Sequence, residues 1–128
     1  MKLATLDKGD IGHPAVLSST DELLDLTASG LAESAPREVR GILGNDAAMK
    51  TARDALDKLD AMSGDEQQNL RHAGILVPLA KAELLAPVPR PNLILSVGLN
   101  YHRHLAEMAG TPAPASPSAF MKTVASLT

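Results

Sequence analysis

The sequence has 128 residues, of which 45% are hydrophobic and 21% charged, with no cysteine and no tryptophan; this suffices for one domain, or a domain and a part, but not for two independent cores. The lack of cysteine excludes a disulfide framework and a thiolate metal site and favours a cytoplasmic location. A net charge of -3 argues against a nucleic-acid partner, and the charges from Asp7 to Asp10 leave no apolar segment for a signal peptide or membrane span.

The composition changes near Pro87, and this change divides the chain into two predicted parts. Residues 1–86 carry 14 acidic and 9 basic side chains, whereas residues 87–128 carry one acidic and three basic side chains. The proline-rich run that begins at Pro87 favours an extended connector. We therefore expect an N-terminal α+β domain over 1–86, a connector over 87–92 and a second part over 93–128.

The first part is predicted to begin with a β-hairpin and to continue mainly with helices. Two short apolar runs, 1–6 and 15–18, flank a stretch of turn-forming residues, which is the pattern of a hairpin. The best-supported helix follows Asn45, which can cap it, because its apolar side chains recur every three or four residues. After the hairpin, the predicted elements of the first part are, in order, helices over 20–26, 37–43, 46–62 and 65–72 and a strand over 75–77.

The second part opens with the pattern of a strand, a turn and a helix. Residues 93–97 are apolar and partly β-branched, as in a buried strand, and Gly98 permits a sharp turn after them. Asn100 is predicted to cap a helix over 101–109. Another strand is predicted over 120–122.

His104 and Glu107 are the strongest candidates for chemistry. Three residues apart on a helix, they share a face, so the carboxylate can orient the imidazole as a general base that activates water. The spacing leaves a second interpretation open, an ordinary surface pair, because Arg103 also lies within reach of Glu107. His102 projects to nearly the opposite side of the helix from His104, so these two rings cannot bind one metal ion.

Other residues give weaker signals. Lys122 and Ser126 could bind an anion, one as a positive charge and the other as a donor, but such residues are usually ordinary surface groups. His13 and His72 are interpreted as structural. No glycine-rich phosphate-binding loop occurs, and the acidic residues over 46–66 have the spacing of a solvated helix face rather than of a metal site.

Four blocks of the sequence, in this order, resemble the fumarylacetoacetate hydrolase family. The resemblance is specific over 83–128, whereas residues 1 to about 82 resemble only loosely the variable N-terminal segment of many members. The blocks are 85–91, then 94–97, then the motif Gly98-Leu99-Asn100-Tyr101-x-x-His104-x-x-Glu107, then 120–122 with Ser126.

The resemblance implies a metal-dependent enzyme of 2-oxo acid metabolism. Family members are hydrolases, hydratases, decarboxylases and isomerases of 2-oxo and 2,4-dioxo acids, often in aromatic catabolism, and are generally dimers or larger. They hold Mg2+ or Mn2+ through a Glu-x-Glu pair and a later Asp. By resemblance, His104 and Glu107 are the catalytic pair on a lid helix that activates water, and Tyr101, Lys122 and Ser126 bind substrate.

The sequence departs from the family in its metal ligands. It contains no Glu-x-Glu, and Thr123 and Val124 stand where two prolines commonly follow the lysine. We therefore expect a truncated protein with only the first strand–helix unit of a β-rich catalytic domain, its strands over 93–97 and 120–121 without partners. Such a fragment is expected to be inactive and to bind no Mg2+ or Mn2+ alone, and to pair with a second copy or with the separately encoded remainder.

Two other interpretations of the sequence stay open. One is a non-catalytic interaction or dimerisation module, in which residues 1–86 fold by themselves and associate with another chain. The other is a stand-alone regulatory domain unrelated to the family. Neither requires His104 and Glu107 to take part in a reaction.

Overall fold

The structure of the protein, a computed structural model, describes residues 1–9, 12–108, 112 and 114–127. The chain divides into two compact units, Met1–Pro89 (unit 1) and Arg90–Thr128 (unit 2), and this division falls within the stretch expected to be a connector. Helices and strands both occur, with a four-stranded and a two-stranded sheet, so the α+β prediction is confirmed.

Unit 1 is built on an antiparallel sheet. The predicted hairpin over its first two strands is confirmed, with Leu3 opposite Val16. An isolated bridge between Leu6 and Leu84 brings a later segment to the outer edge of the first strand. The four strands, adjacent in this order, are β1 (Leu3–Leu6), β2 (His13–Leu17), β3 (Glu22–Asp25) and β4 (Leu76–Pro78).

The helix predicted over 20–26 is wrong, because these residues form a tight turn and then β3. The hydroxyl oxygen of Ser18 accepts hydrogen bonds from the N–H groups of Thr20 and Glu22 at 3.3 and 3.2 Å. Serine therefore supports a turn here instead of capping a helix. Leu23 and Leu24, on opposite faces of β3, are 1% and 0% exposed, so the strand is buried on both faces and lacks the alternating pattern of a half-buried strand.

Three helices follow the first three strands of unit 1, close to where they were predicted. The Asn45 side chain accepts a hydrogen bond from the Ala48 N–H at 3.1 Å, as predicted. Ser63 and Glu66 form a capping box at the start of the third helix. The helices are α1 (Val39–Ile42), α2 (Asp46–Asp60) and α3 (Gly64–His72).

The core of unit 1 is aliphatic and lies on both faces of the sheet. The larger cluster joins sheet and helix side chains that are at most 6% exposed. The smaller cluster, on the opposite face, contains Leu6, Ala15 and Leu23, with Ala82 packed against them. The larger cluster consists of Val16, Leu24, Leu26, Ala32, Ile42, Ala48, Ala52, Ala55, Leu59 and Leu76.

Unit 2 contains β5 (Ile94–Gly98), α4 (His102–Glu107) and β6 (Ser118–Lys122). The expectation that the two strands have no partner is wrong, because they pair with each other in antiparallel register, Ile94 opposite Lys122 and Gly98 opposite Ser118. The predicted helix begins at His102 rather than residue 101, and its predicted last residue, 109, lies outside the described residues. No described residue of unit 2 is buried, so the described part of this unit contains no apolar core.

Candidate functional site

Helix α4 is reached from β5 through a turn formed by Leu99 and Asn100. Leu99 has φ 52°, an uncommon value for a residue with a side chain. The predicted cap is wrong: Tyr101 is the N-cap residue, and no side-chain hydrogen bond caps α4. The start of the helix is therefore set by the turn and not by the Asn100 side chain.

His104 and Glu107 share one face of α4, as their spacing predicts. His104 Nδ1 lies 3.8 Å from Glu107 Oε2, and the two side chains are 55% and 64% exposed. This distance is within reach of an ion pair but is too long for a hydrogen bond. Contacts of catalytic bases are often loose without substrate and tighten when it binds. The pair is thus held together by the helix and accessible from solvent.

Arg103 shares the Glu107 carboxylate with His104. Its Nε lies 3.7 Å from Glu107 Oε1, the oxygen that does not face His104, and its side chain is 95% exposed. Exposed ion pairs of this kind contribute little to stability. The helix therefore presents an imidazole, a carboxylate and a guanidinium together on an accessible surface.

The predicted substrate-binding residues do not all join this group. Tyr101 is 73% exposed at the start of α4. Lys122 pairs with Ile94, four residue positions, or about 13 Å, along β5 from the end that leads into α4. Among the described residues, no contact joins Lys122 or Ser126 to His104 or Glu107.

Lys122 and Ser126 instead make local contacts. Lys122 Nζ lies 5.9 Å from the centre of the Phe120 ring, close to the upper distance limit of a cation–π contact. The Ser126 hydroxyl donates a hydrogen bond to the Thr123 carbonyl at 2.5 Å within a short helical turn, Val124–Ser126. Because this turn uses the Ser126 proton, donation to an anion would require the local bond to break.

A cleft of about 210 Å³ lies beside α4, but the His104–Glu107 pair does not line it. Leu105, the only half-buried residue of α4, and His102 line the cleft, and residues three apart share a helix face. The cleft and the pair therefore occupy different faces of α4. Its lining comprises Gly98, Leu99, Asn100, His102, Leu105 and the segment 114–117.

Sequence reasoning missed the cleft because four of its lining residues come from the proline-rich segment before β6. The position of His102 gave a partial signal, since it lies three residues before the apolar Leu105 on a short helix. The sequence by itself favours a surface or helix-start role for His102. In the structure it is exposed and also borders the cleft.

A buried carboxylate in unit 1 also escaped the sequence analysis. Asp25 is 1% exposed and accepts hydrogen bonds from the N–H groups of Thr27 and Ala28 at 2.8 and 2.9 Å. Its other oxygen lies 2.7 Å from His13 Nδ1. These bonds join β2, β3 and the following turn, so His13 has a structural contact, in line with its interpretation from sequence.

A second polar contact in unit 1 links the sheet to α3. Arg71 donates two hydrogen bonds to the Glu22 carboxylate at 2.7 and 2.8 Å. These bonds lower the pKa of Glu22 below its ordinary value and raise the pKa of Arg71. The partners are 49 residues apart in the sequence, so no local pattern indicates the pair.

The residues present do not fit the metal site that the family resemblance implies. Among the described residues, no group of three His, Asp or Glu side chains could hold a metal ion. The sequence has no acidic residue after Glu107 and no Glu-x-Glu at any position. A hard cation needs several oxygen ligands, and the described residues do not bring them to the His104–Glu107 pair.

Comparison with known proteins gives no assignment, since no protein-family model and no curated protein matches the sequence. Over the residues that the structure describes, no helix has the length and apolar character needed to cross a bilayer. The features of the chain that bear on function are therefore the motif over 98–107 and the geometry of α4.

Proposed function

We propose that the chain is part of a cytoplasmic hydrolase that resembles the fumarylacetoacetate hydrolase family and acts on 2-oxo or 2,4-dioxo acids. The observation that carries the proposal is the position of His104 and Glu107, 3.8 Å apart on an exposed face of α4. The motif that carries the resemblance forms a compact strand–turn–helix unit, β5 followed by α4. A general base presented in this way can meet a substrate held by another part of the enzyme.

In the proposed reaction His104 is the general base. Its Nδ1 faces Glu107, which leaves Nε2 to take a proton from water as the water oxygen bonds to the substrate carbonyl carbon. The imidazolium formed in this step is stabilised by the Glu107 carboxylate. The proton then passes from His104 to the carbon released when the C–C bond breaks, which restores the base.

The positive charge beside the pair favours a substrate that carries a carboxylate. A 2-oxo acid carries a carboxylate, and Arg103 places a guanidinium beside the pair, with its side chain 95% exposed. Guanidinium binds carboxylates through two parallel hydrogen bonds. Lys122, to which the resemblance assigns substrate binding, lies at the far end of the β5–β6 pair, so Arg103 is the better placed cation for the substrate carboxylate.

The proposal includes a polypeptide partner. The described residues lack a metal-ligand cluster, so on this proposal the carboxylates that bind Mg2+ or Mn2+ in the family come from outside these residues. On this proposal the present chain supplies the base, and by itself it does not turn over substrate.

A chimera tests the proposal. The whole chain, residues 1–128, replaces the corresponding N-terminal segment of a family hydrolase, and hydrolysis of an acylpyruvate is measured with the metal supplied. We expect a folded, active enzyme in which His104→Ala lowers kcat by about 10²- to 10⁴-fold, as loss of a general base does. Glu107→Gln is expected to lower kcat as well.

His102→Ala is the matched control, because it removes the same side chain two residues away, on another face of the helix. It is expected to leave kcat near that of the unmutated chimera. A folded but inactive chimera, or equal losses in His102→Ala and His104→Ala, would contradict the proposal.

A second candidate function, a non-catalytic interaction module, is favoured by one face of the β5–β6 sheet. Leu95 is opposite Met121 and Val97 is opposite Ala119, and opposite residues in an antiparallel pair share a face. Leu95, Val97 and Met121 are 61%, 59% and 74% exposed. Contiguous exposed apolar surface often marks an interaction site.

Sedimentation of the whole chain over a range of concentrations tests this second function. An interaction module predicts association that Met121→Lys abolishes and His104→Ala leaves unchanged. Lys2→Met, which adds an exposed apolar side chain in unit 1, is a control for nonspecific association. A chain that is monomeric at all concentrations would contradict a dimerisation module.

A further inference from the structure

In the described part of the chain, two residues other than glycine have a positive φ: Asp21 at 55° and Leu99 at 52°. The left-handed region brings the side chain close to the backbone, so residues other than glycine seldom adopt it. Aspartate tolerates it better than leucine does, because its short polar side chain can form local hydrogen bonds. Leu99 is therefore in the less favourable conformation of the two.

The turn at Asp21 is held by its surroundings. The Asp21 carbonyl accepts a hydrogen bond from the Leu79 N–H at 3.0 Å. The Ser18 hydroxyl oxygen accepts bonds from the N–H groups that flank Asp21, those of Thr20 and Glu22. Several contacts thus fix this conformation. Folded proteins ordinarily hold residues in unfavourable backbone conformations in this way.

The turn at Leu99 has no equivalent support. Within the residues that the structure describes, no hydrogen bond reaches Leu99 or Asn100. Leu99 is half-buried and borders the same cleft as Leu105. Partial burial of the Leu99 side chain is therefore the contact that offsets the cost of its positive φ.

Helix α4 is itself weakly attached. It has six residues and no side-chain cap, and a helix of this length is not stable in isolation. All its side chains except Leu105 are exposed. Its position relative to β5 is consequently set by the backbone at Leu99 and by the contact of Leu105 with the cleft.

We propose that Leu99 is a positioning residue, a hinge whose backbone conformation sets where α4 holds the His104–Glu107 pair. His104 is the third residue of α4 and lies five residues beyond Leu99. A change of φ at Leu99 from the left-handed region to an ordinary negative value therefore displaces the pair by several ångströms as one unit. The inference rests on the proposed function, because positioning matters only if the pair takes part in a reaction.

Three substitutions separate the hinge from simple packing. Leu99→Gly and Leu99→Asn adopt a positive φ at lower cost than leucine does. Leu99→Val keeps an apolar side chain, but its β-branch disfavours the left-handed region further. Leu93→Val is a matched control in the same unit, since Leu93 is 53% exposed and lies outside the turn.

NMR relaxation dispersion of the whole chain, recorded on the backbone amides over 102–107, measures exchange between two positions of α4. In Leu99→Gly and Leu99→Asn we expect the minor population to fall by roughly tenfold, the factor that corresponds to the cost of the left-handed region. In Leu99→Val the minor population is expected to rise. Leu93→Val should leave the exchange unchanged.

Hydrogen exchange of the β5 and β6 amides distinguishes a hinge from general destabilisation. A hinge changes the exchange of α4 and leaves the protection of the strands as it was. Equal dispersion in the Gly, Asn and Val variants, or parallel changes in the helix and the strands, would overturn the inference. The measurement needs no substrate, so a failed hinge and a failed hydrolase proposal are distinguishable.

Discussion

The two units of this chain use similar apolar strands in different ways. In unit 1 the leucines of β3 are at most 1% exposed, because helices cover one face of the sheet and a smaller apolar cluster covers the other. In unit 2 Leu95 and Val97 of β5 are 61% and 59% exposed. An apolar strand sequence therefore indicates a strand but does not show what covers it. The buried apolar clusters lie in unit 1, and the candidate chemistry lies in unit 2.

The largest expected effect comes from matched leucine truncations in the two units. Leu24 is 0% exposed and Leu95 is 61% exposed. We expect Leu24→Ala to lower the free energy of unfolding by about 3 kcal/mol, because it leaves a cavity in the core. Leu95→Ala should change it by less than about 0.5 kcal/mol, as surface substitutions do. Urea unfolding followed by circular dichroism measures both, and similar losses would remove the distinction between the units.

The Glu22–Arg71 contact is expected to make the stability of unit 1 depend on pH. Arg71 lowers the pKa of Glu22 in the folded chain below its ordinary value of 4.5, so the ionised carboxylate favours folding. This stabilisation is present above pH 4.5 and is lost as the pH falls through the lower pKa of the folded state. The urea midpoint of the wild type should therefore exceed that of Glu22→Gln at pH 7, and the difference should shrink in acid.

At pH 7 the shift in urea midpoint caused by Glu22→Gln is expected to lie between the shifts caused by Leu24→Ala and Asn45→Ala. Glu38→Gln is the control, because Glu38 is only half-buried and its contact with Arg40 is long, at 3.7 Å. A difference between wild type and Glu22→Gln that stayed constant from pH 7 to pH 3 would show that the charge of Glu22 does not contribute.

A smaller effect is expected at the start of α2. Asn45 accepts the hydrogen bond of the Ala48 N–H, and Asn45→Ala should lower the free energy of unfolding by about 1 kcal/mol through loss of this cap. Asn69→Ala, on an exposed position of α3, is the matched control and should cost nothing, since alanine favours a helix interior. Equal effects at the two positions would mean that the cap contributes nothing beyond helix propensity.

Much of unit 1 could be predicted because its signals are local. Turn-forming residues between two apolar runs indicated the hairpin, and Asn45 with a three- and four-residue apolar period indicated α2. The third strand could not be predicted in this way. Its identity depends on the turn at Asp21 and on burial of Leu23 and Leu24 on opposite faces, both of which depend on distant parts of the chain.

The candidate site shows the same division between local and distant information. The three-residue spacing of His104 and Glu107 predicted their shared face, since helix geometry alone decides it. The positions of Lys122 and Ser126 depend on the register of β5 with β6, which places Lys122 opposite Ile94. No pattern in the sequence fixes that register. The turn at Leu99 likewise differs from the expected Asn100 cap because the chain there takes a backbone conformation unusual for leucine.

A double-mutant cycle in the chimera tests the proposal that His104 and Glu107 act together as one base. The value of kcat/KM for acylpyruvate hydrolysis is measured for the unmutated chimera, His104→Ala, Glu107→Ala and the double variant. Residues that act as a unit are strongly non-additive, so the double variant should be scarcely slower than His104→Ala alone. Losses that multiply, with each residue contributing independently of the other, would contradict the claim.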